Sequence, residues 1–225
     1  AGPQGAKIIK QKPLDVVISN VNGTQNCLNI LLKQQKNGFI KGKLILFSSV
    51  SIYQNHTHKD KKFKEIEDYN SQKIKINKIY SLSKIISEII VNTYVHQFNV
   101  YAIISRISTV YGDTLYKTDT AFFEFLNKAI MGKDIEVRDK LLPRRDNIYI
   151  DDAIKGLLTI ALKGKKGEVY NLSSNGKLGN FLALDEIAKI IIDERNKRAI
   201  SKKEKQIIKL KKNPKKKRMP GIILD

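Results

Sequence analysis

Two short stretches constrain the fold more than any other part of the chain. Residues 44–47 (LILF) and 100–105 (VYAIIS) are apolar at nearly every position rather than at every second one. A strand with that pattern must be covered on both faces, which is the environment of a central parallel strand. Between and beyond them lie stretches of helical spacing. Residues 14–34 place Val21, Leu28, Leu31 and Leu32 at helix-like intervals, with Cys27 among them as an expected small buried group. In the stretch KINKIYSLSKIISEII, Leu82, Ile85, Ile86, Ile89 and Thr93 fall on one stripe, expected to be the buried one, and Tyr80 and Lys84 sit together on the opposite side. Residues 120–132 read as an amphipathic helix, and DDAIKGLLTIALKG as another with Asp151 as its N-cap. EVYNLSS reads as a third strand and LALDEIAKIIIDERNK as a final helix. Strands that alternate with helices predict an α/β chain with a parallel sheet between helical layers.

Bulk properties narrow the function classes. With 225 residues and 41% hydrophobic content the chain is long enough to bury a core. One cysteine leaves no internal disulfide to require an oxidising compartment. No apolar run reaches the ~18 to 20 residues that cross a bilayer, and AGPQGAKIIKQKP lacks the apolar core of a secretory signal, so a cytoplasmic protein without membrane contact is expected. The net charge of +20 would suit a polyanion, yet abundant Lys, Ile and Asn with no Trp also fits an AT-rich coding sequence. The basic run at 201–218 carries no base-stacking aromatics, which speaks against nucleic acid. His56 and His58 stand in a charged loop with no further ligands at metal spacing, so no metal site is expected.

Tyr80 and Lys84 raise the question of chemistry. Among 9 tyrosines in a lysine-rich chain, a lysine four residues on should occur by chance about once or twice, and Tyr69–Lys73 is such a second copy. The pair at Tyr80 differs in its surroundings: it opens a helix that follows a strand ending in serines, whereas Tyr69 lies in a polar loop.

Taken in order, NVNGT, SSVSIY, YSLSK, RISTVYG, RRDNIYIDDA and GEVYNLSS resemble the extended short-chain dehydrogenase/reductases, the NAD-dependent epimerase/dehydratase family that acts on nucleotide sugars. The resemblance covers nearly the whole chain. It implies a Rossmann-like doubly wound parallel sheet, truncated at its N-terminus, with a smaller C-terminal substrate domain. Residues 1–112 would be the remaining NAD-binding part and 113–225 mostly the nucleotide-sugar domain, with 148–174 returning to the sheet. It further implies NAD or NADP as cofactor, a nucleotide-sugar substrate and a homodimer.

Residue by residue, the resemblance implies Tyr80 as general base, Lys84 as its partner and Ser49 as the hydroxyl that completes the set. It implies Asn20, Thr24 and Ser48 beside the cofactor, with Asn20 and Thr24 as helix-opening residues. Thr109, Arg145 and Arg218 would contact substrate, the two arginines at its diphosphate, and Arg106 would be structural. The chemistry is coherent, since a phenol of pKa ~10 becomes a usable base when an ammonium stabilises its phenolate. A guanidinium fork suits a diphosphate.

Two departures shape the expected reaction. Ser51 stands where dehydrating relatives carry a glutamate, and Thr109 where many relatives place a sugar-contacting asparagine. An epimerase-like redox step is therefore expected over elimination, with a non-catalytic polyanion-binding protein on the same fold as the competing reading. No G-x-G-x-x-G occurs, and the chain starts without methionine and ends in MPGIILD, so it reads as the C-terminal two-thirds of a longer enzyme.

Overall fold

The computed structural model describes residues 6–38, 42–55, 78–113, 120–137, 144–174 and 181–198. They fall into two compact units, one formed by residues 1–110 and 149–173 and the other by 111–148 and 174–225.

The first unit opens with a short helix α1 (Ala6–Gln11) and a long one, α2 (Pro13–Lys36), with proline in its first turn, where the missing N–H is harmless. Strand β1 (Leu44–Ser49) ends in a 3-10 turn over Val50–Asn55, then helix α3 (Ile79–Phe98) follows. Asn99, in the left-handed conformation at φ 59°, terminates α3 with its N–H on the Val95 carbonyl. Strand β2 (Ala102–Ile107) continues into β3 (Thr109–Tyr111), where the chain leaves this unit. Helix α5 (Ile150–Lys163) and strand β5 (Val169–Leu172) complete it.

The sheet runs β1-β2-β5, parallel throughout, as expected for apolar runs joined by helices. In register, Leu46 and Ser48 lie opposite Ile104 and Arg106 on the face covered by α2 and α3. Leu28, Leu31, Leu46, Val91, Val100, Ala102 and Ile104 form the core there. The other face carries α5, which lies so close to β5 that a Cβ on Gly156 would stand 2.3 Å from Leu172 Cδ1. Phe47, also on that face, is 52% exposed, and β1 is an edge of the sheet among the described residues.

Three expectations need correction. Cys27 is exposed, because α2 buries Val16, Asn20, Leu28 and Leu31 instead. Asp151 lies in the first turn of α5, one residue inside a helix that starts at Ile150; its carboxylate still favours the positive end of the helix. The largest correction concerns α3, whose isoleucine stripe is not the buried one. Ile86 and Ile89 are exposed, while Ser83, Lys84, Ser87, Glu88 and Val91 face inward. Serines permit a close approach of α3 to α2, and their hydroxyls are satisfied there: Asn20 Nδ2 donates to Ser83 Oγ at 2.9 Å and Ser87 Oγ donates to the Asn20 carbonyl at 3.0 Å.

The second unit contains α4 (Ala121–Ile130), β4 (Arg145–Tyr149), β6 (Phe181–Leu182) and α6 (Leu184–Lys197). β4 and β6 pair antiparallel, with Asp146 opposite Phe181. Phe125, Ala129, Ile135, Val137, Ala188 and Ile192 close its core. Glu186 accepts the Ala183 N–H at 2.9 Å and pairs with Arg144, anchoring the start of α6. Asp146 accepts both the N–H and the hydroxyl of Ser174, at 3.0 and 2.5 Å.

Candidate active site

The C-terminal end of β1 meets the first two turns of α3, and this junction collects Ser49, Tyr80 and Lys84. Ser49 is the last residue of β1 and its Oγ accepts the Ser51 N–H at 3.2 Å, which shapes the turn that follows. Tyr80 and Lys84 stand one helical turn apart on α3, with the Lys84 ammonium 5.7 Å from the centre of the Tyr80 ring. Burial raises the Tyr80 phenol above the ordinary tyrosine range, and a hydrogen bond with Ser49 pulls it part of the way back. Lys84 is only 8% exposed. Burial lowers its pKa, opposed by the charge of Glu88 one turn further along, and its Nζ donates to the Phe47 carbonyl at 2.8 Å.

The other residues singled out from the sequence fall in several places. Asn20 and Thr24 are interior to α2, seven or more residues past its start, and so do not open the helix. Asn20 links to α3 as described, and Thr24 Oγ1 donates to the Asn20 carbonyl at 2.6 Å. Ser48 turns to the α3 side and donates to Glu88 Oε1 at 2.5 Å. Thr109 is exposed at the start of β3. Arg145 belongs to the second unit: the residue is exposed overall, yet protein packed around its guanidinium lowers its pKa, and no acidic partner reaches it among the described residues. Arg218, the Tyr69–Lys73 pair, His56, His58 and the basic run at 201–218 lie outside the described residues.

Beside the Ser49–Tyr80–Lys84 group is a polar network that sequence reasoning missed except for Arg106. Glu88, 6% exposed, accepts from Ser48, from Arg106 Nε at 3.1 Å and from Arg106 Nη2 at 2.7 Å. Arg106 Nη1 donates to the Tyr53 hydroxyl at 2.8 Å, and that hydroxyl donates to Asn171 Oδ1 at 2.9 Å. The one signal available was a glutamate four residues after Lys84, on what turns out to be the inward face.

Two further hydroxyls bear on what the strand ends could hold. Ser51 Oγ and Ser108 Oγ are buried with no hydrogen-bond partner. They follow the C-terminal ends of β1 and β2, where open parallel sheets bind ligands. Unpaired buried hydroxyls are costly, and a ligand that bonded to them would remove the cost. No group of three or more metal-ligating side chains occurs among the described residues, and no described helix is long and apolar enough to cross a membrane.

The NAD dependent epimerase/dehydratase family matches over residues 2–173. A dTDP-D-glucose 4,6-dehydratase of Homo sapiens is 28% identical over 149 residues, covering 66% of this chain and 40% of its own. A UDP-glucuronate 4-epimerase of Thermodesulfobacterium geofontis is 29% identical over 209 residues, covering 92% of this chain and 57% of its own. The chain thus spans about half the length of the curated relatives it matches. Among solved structures, a dTDP-glucose 4,6-dehydratase from Bacillus anthracis in complex with NAD superposes with a TM-score of 0.65 at 23% identity, over 94% of this chain and 61% of that one. At that identity the likeness is one of fold.

Proposed function

The chain belongs to the NAD-dependent epimerase/dehydratase family, and from that membership we propose that it carries the proton-transfer half of an enzyme that oxidises a ring hydroxyl of a nucleotide-linked sugar. The observation that carries this reading is that Ser49, at the end of a parallel strand, acts on the Tyr80 phenol and lowers its pKa, with Lys84 one turn away. NAD would supply the hydride acceptor and donor for this step. Tyr80 Oη receives the hydroxyl proton, Ser49 Oγ bonds the same sugar oxygen and orients it, and the Lys84 ammonium stabilises the phenolate. For the last role Lys84 has to exchange the Phe47 carbonyl for the cofactor and the phenol.

The residues present fit a nicotinamide nucleotide at this end of the sheet, since Ser51 and Ser108 offer unpaired buried hydroxyls beside Ser49. Lys84, Tyr80 and Ser48 are the family's cofactor-side positions; Ser48 acts from behind, through Glu88. Asn20 and Thr24 act at most through the α2–α3 contact. Residues 1–112 with 148–174 serve the cofactor in this reading, and the second unit serves the nucleotide sugar. There the Arg145 guanidinium, with no acidic partner among the described residues, suits a diphosphate. Thr109 and Arg218 complete the proposed substrate contacts. Ser51 in place of a carboxylic acid disfavours elimination, so we favour an epimerase-like step. Two such chains would associate through α2 and α3, where Ile18, Ile30, Ile86 and Ile89 are exposed.

The phosphate-binding glycine turn of the family is not in this sequence, so the test supplies it. The chain is joined behind a strand–glycine turn–helix segment taken from a family member and given NAD with UDP- or dTDP-linked sugars. The joined protein should interconvert a sugar epimer pair, and Tyr80→Phe should slow it by about a hundredfold or more. Equal turnover by Tyr80→Phe would remove Tyr80 from the mechanism.

A further inference from the structure

We propose that Glu88 is a positioning residue for the Tyr80–Lys84 pair: clamped by Ser48 and Arg106, it holds the helix bearing that pair against the strand end bearing Ser49. This rests on the reading of Tyr80 and Lys84 above for its catalytic meaning, and on the geometry alone for its physical content.

A carboxylate in the middle of a helix and 6% exposed is a costly choice unless every lone-pair direction is used. Here both oxygens are engaged. Oε1 accepts from Ser48 Oγ at 2.5 Å and Arg106 Nε at 3.1 Å, and Oε2 accepts from Arg106 Nη2 at 2.7 Å. The bidentate fork fixes direction as well as distance. Ser48 is flanked in β1 by Phe47, whose carbonyl receives the Lys84 ammonium, and by Ser49, whose hydroxyl acts on the Tyr80 phenol. Glu88 itself is one turn from Lys84 and two from Tyr80. One side chain therefore ties together, through adjacent residues, both halves of the site.

The clamp is also held from the far side. Arg106 lies opposite Ser48 in the β1–β2 register, and its remaining contact passes through Tyr53 to Asn171 of β5. The chain Ser48–Glu88–Arg106–Tyr53–Asn171 thus crosses the C-terminal ends of all three parallel strands. An apolar cluster of equal volume would fill the same space without fixing rotation of α3 about its axis. Directed hydrogen bonds do fix it, and that rotation decides whether the phenol and ammonium face Ser49.

The test reads Lys84 rather than turnover, so that it succeeds or fails whether or not the enzymatic reading holds. The folded chain is treated with a small amine-acylating reagent, and the rate at each lysine is followed by peptide mass spectrometry, with melting temperature measured in parallel. Lys84, buried and bonded to Phe47, should react far more slowly than Lys155, whose side chain is 77% exposed. Glu88→Gln keeps the shape and removes the charge. It should speed acylation of Lys84 by about tenfold, the scale of one charge-assisted hydrogen bond, and leave Lys155 unchanged. Glu88→Asp, which keeps the charge but falls a methylene short of Ser48 and Arg106, should speed Lys84 as well, and an effect confined to Glu88→Gln would mark a charge effect on the Lys84 amine alone and overturn the proposal. A generic loss of packing would instead affect both variants in proportion to their melting temperatures, and would overturn the proposal. So would a Glu88→Gln chain in which Lys84 reacts at the parental rate. In the joined, active protein both variants should lower kcat with KM nearly unchanged.

Discussion

Lys84 shows how a functional group can be held at a cost to the fold. Its pKa is lowered, chiefly by burial, so across the interval between that lowered value and the ordinary 10.5 the unfolded chain binds more protons than the folded one. Stability from this group therefore rises with pH through that interval, and the burden of its charge is greatest below it. Replacing Lys84 with Met should abolish that rise in urea unfolding measured as a function of pH, and should leave the chain no less stable at neutral pH. Tyr80 works in the opposite sense: its pKa is raised by burial, so the folded state loses stability as pH climbs past 10.0. Tyr80→Phe should flatten that alkaline loss while leaving the neutral region unchanged.

At the scale of elements, α3 decides how the site is presented, and it does so with serines. Ser83 and Ser87 sit against α2 with their hydroxyls bonded to Asn20 and to α3's own carbonyls. Ser87→Leu should overpack this seam and cost about 1–3 kcal/mol in chemical unfolding. Leu28→Ala, which empties part of the α2–α3–β1 core, should cost about 2–5 kcal/mol. The strands were legible from the sequence because double-sided burial writes a continuous apolar run, and β1, β2 and β5 lie where such runs or strand-like residues stood. The inward face of α3 was not legible. Periodicity marks the most hydrophobic stripe, and in this helix that stripe is Ile86 and Ile89 at 43% and 57% exposure, while the buried line is small and polar. For the same reason Glu88 went unnoticed, since a carboxylate reads as surface until a guanidinium and a hydroxyl are seen to meet it. Asn20 and Thr24 were misplaced as helix-opening residues because Pro13, the stronger start signal, lies earlier.

At the largest scale, two surfaces on the described residues of the first unit call for partners. The isoleucines exposed on α2 and α3 are the proposed dimer face, and Ile86→Glu with Ile89→Glu should convert a dimer to a monomer in light scattering without lowering its melting temperature by more than a few degrees; a parent chain that is already monomeric would reject that face. On the other side of the sheet, Phe47 is half exposed on β1, which is an edge of the sheet among the described residues. A parallel strand and helix carrying a glycine turn would cover it, and joining such a segment should raise the melting temperature as well as confer nucleotide binding. Both expectations presuppose a site already assembled within the first unit. The direct check is NMR of isotope-labelled tyrosine in the chain by itself, with the Tyr80 signal assigned by Tyr80→Phe and followed through a pH titration. Tyr80 should titrate above the ordinary tyrosine value, and Ser49→Ala should push it higher still. A Tyr80 that titrates like an exposed tyrosine and ignores Ser49→Ala would mean that the hydroxyl and the phenol do not meet, and the proton-transfer site would not exist.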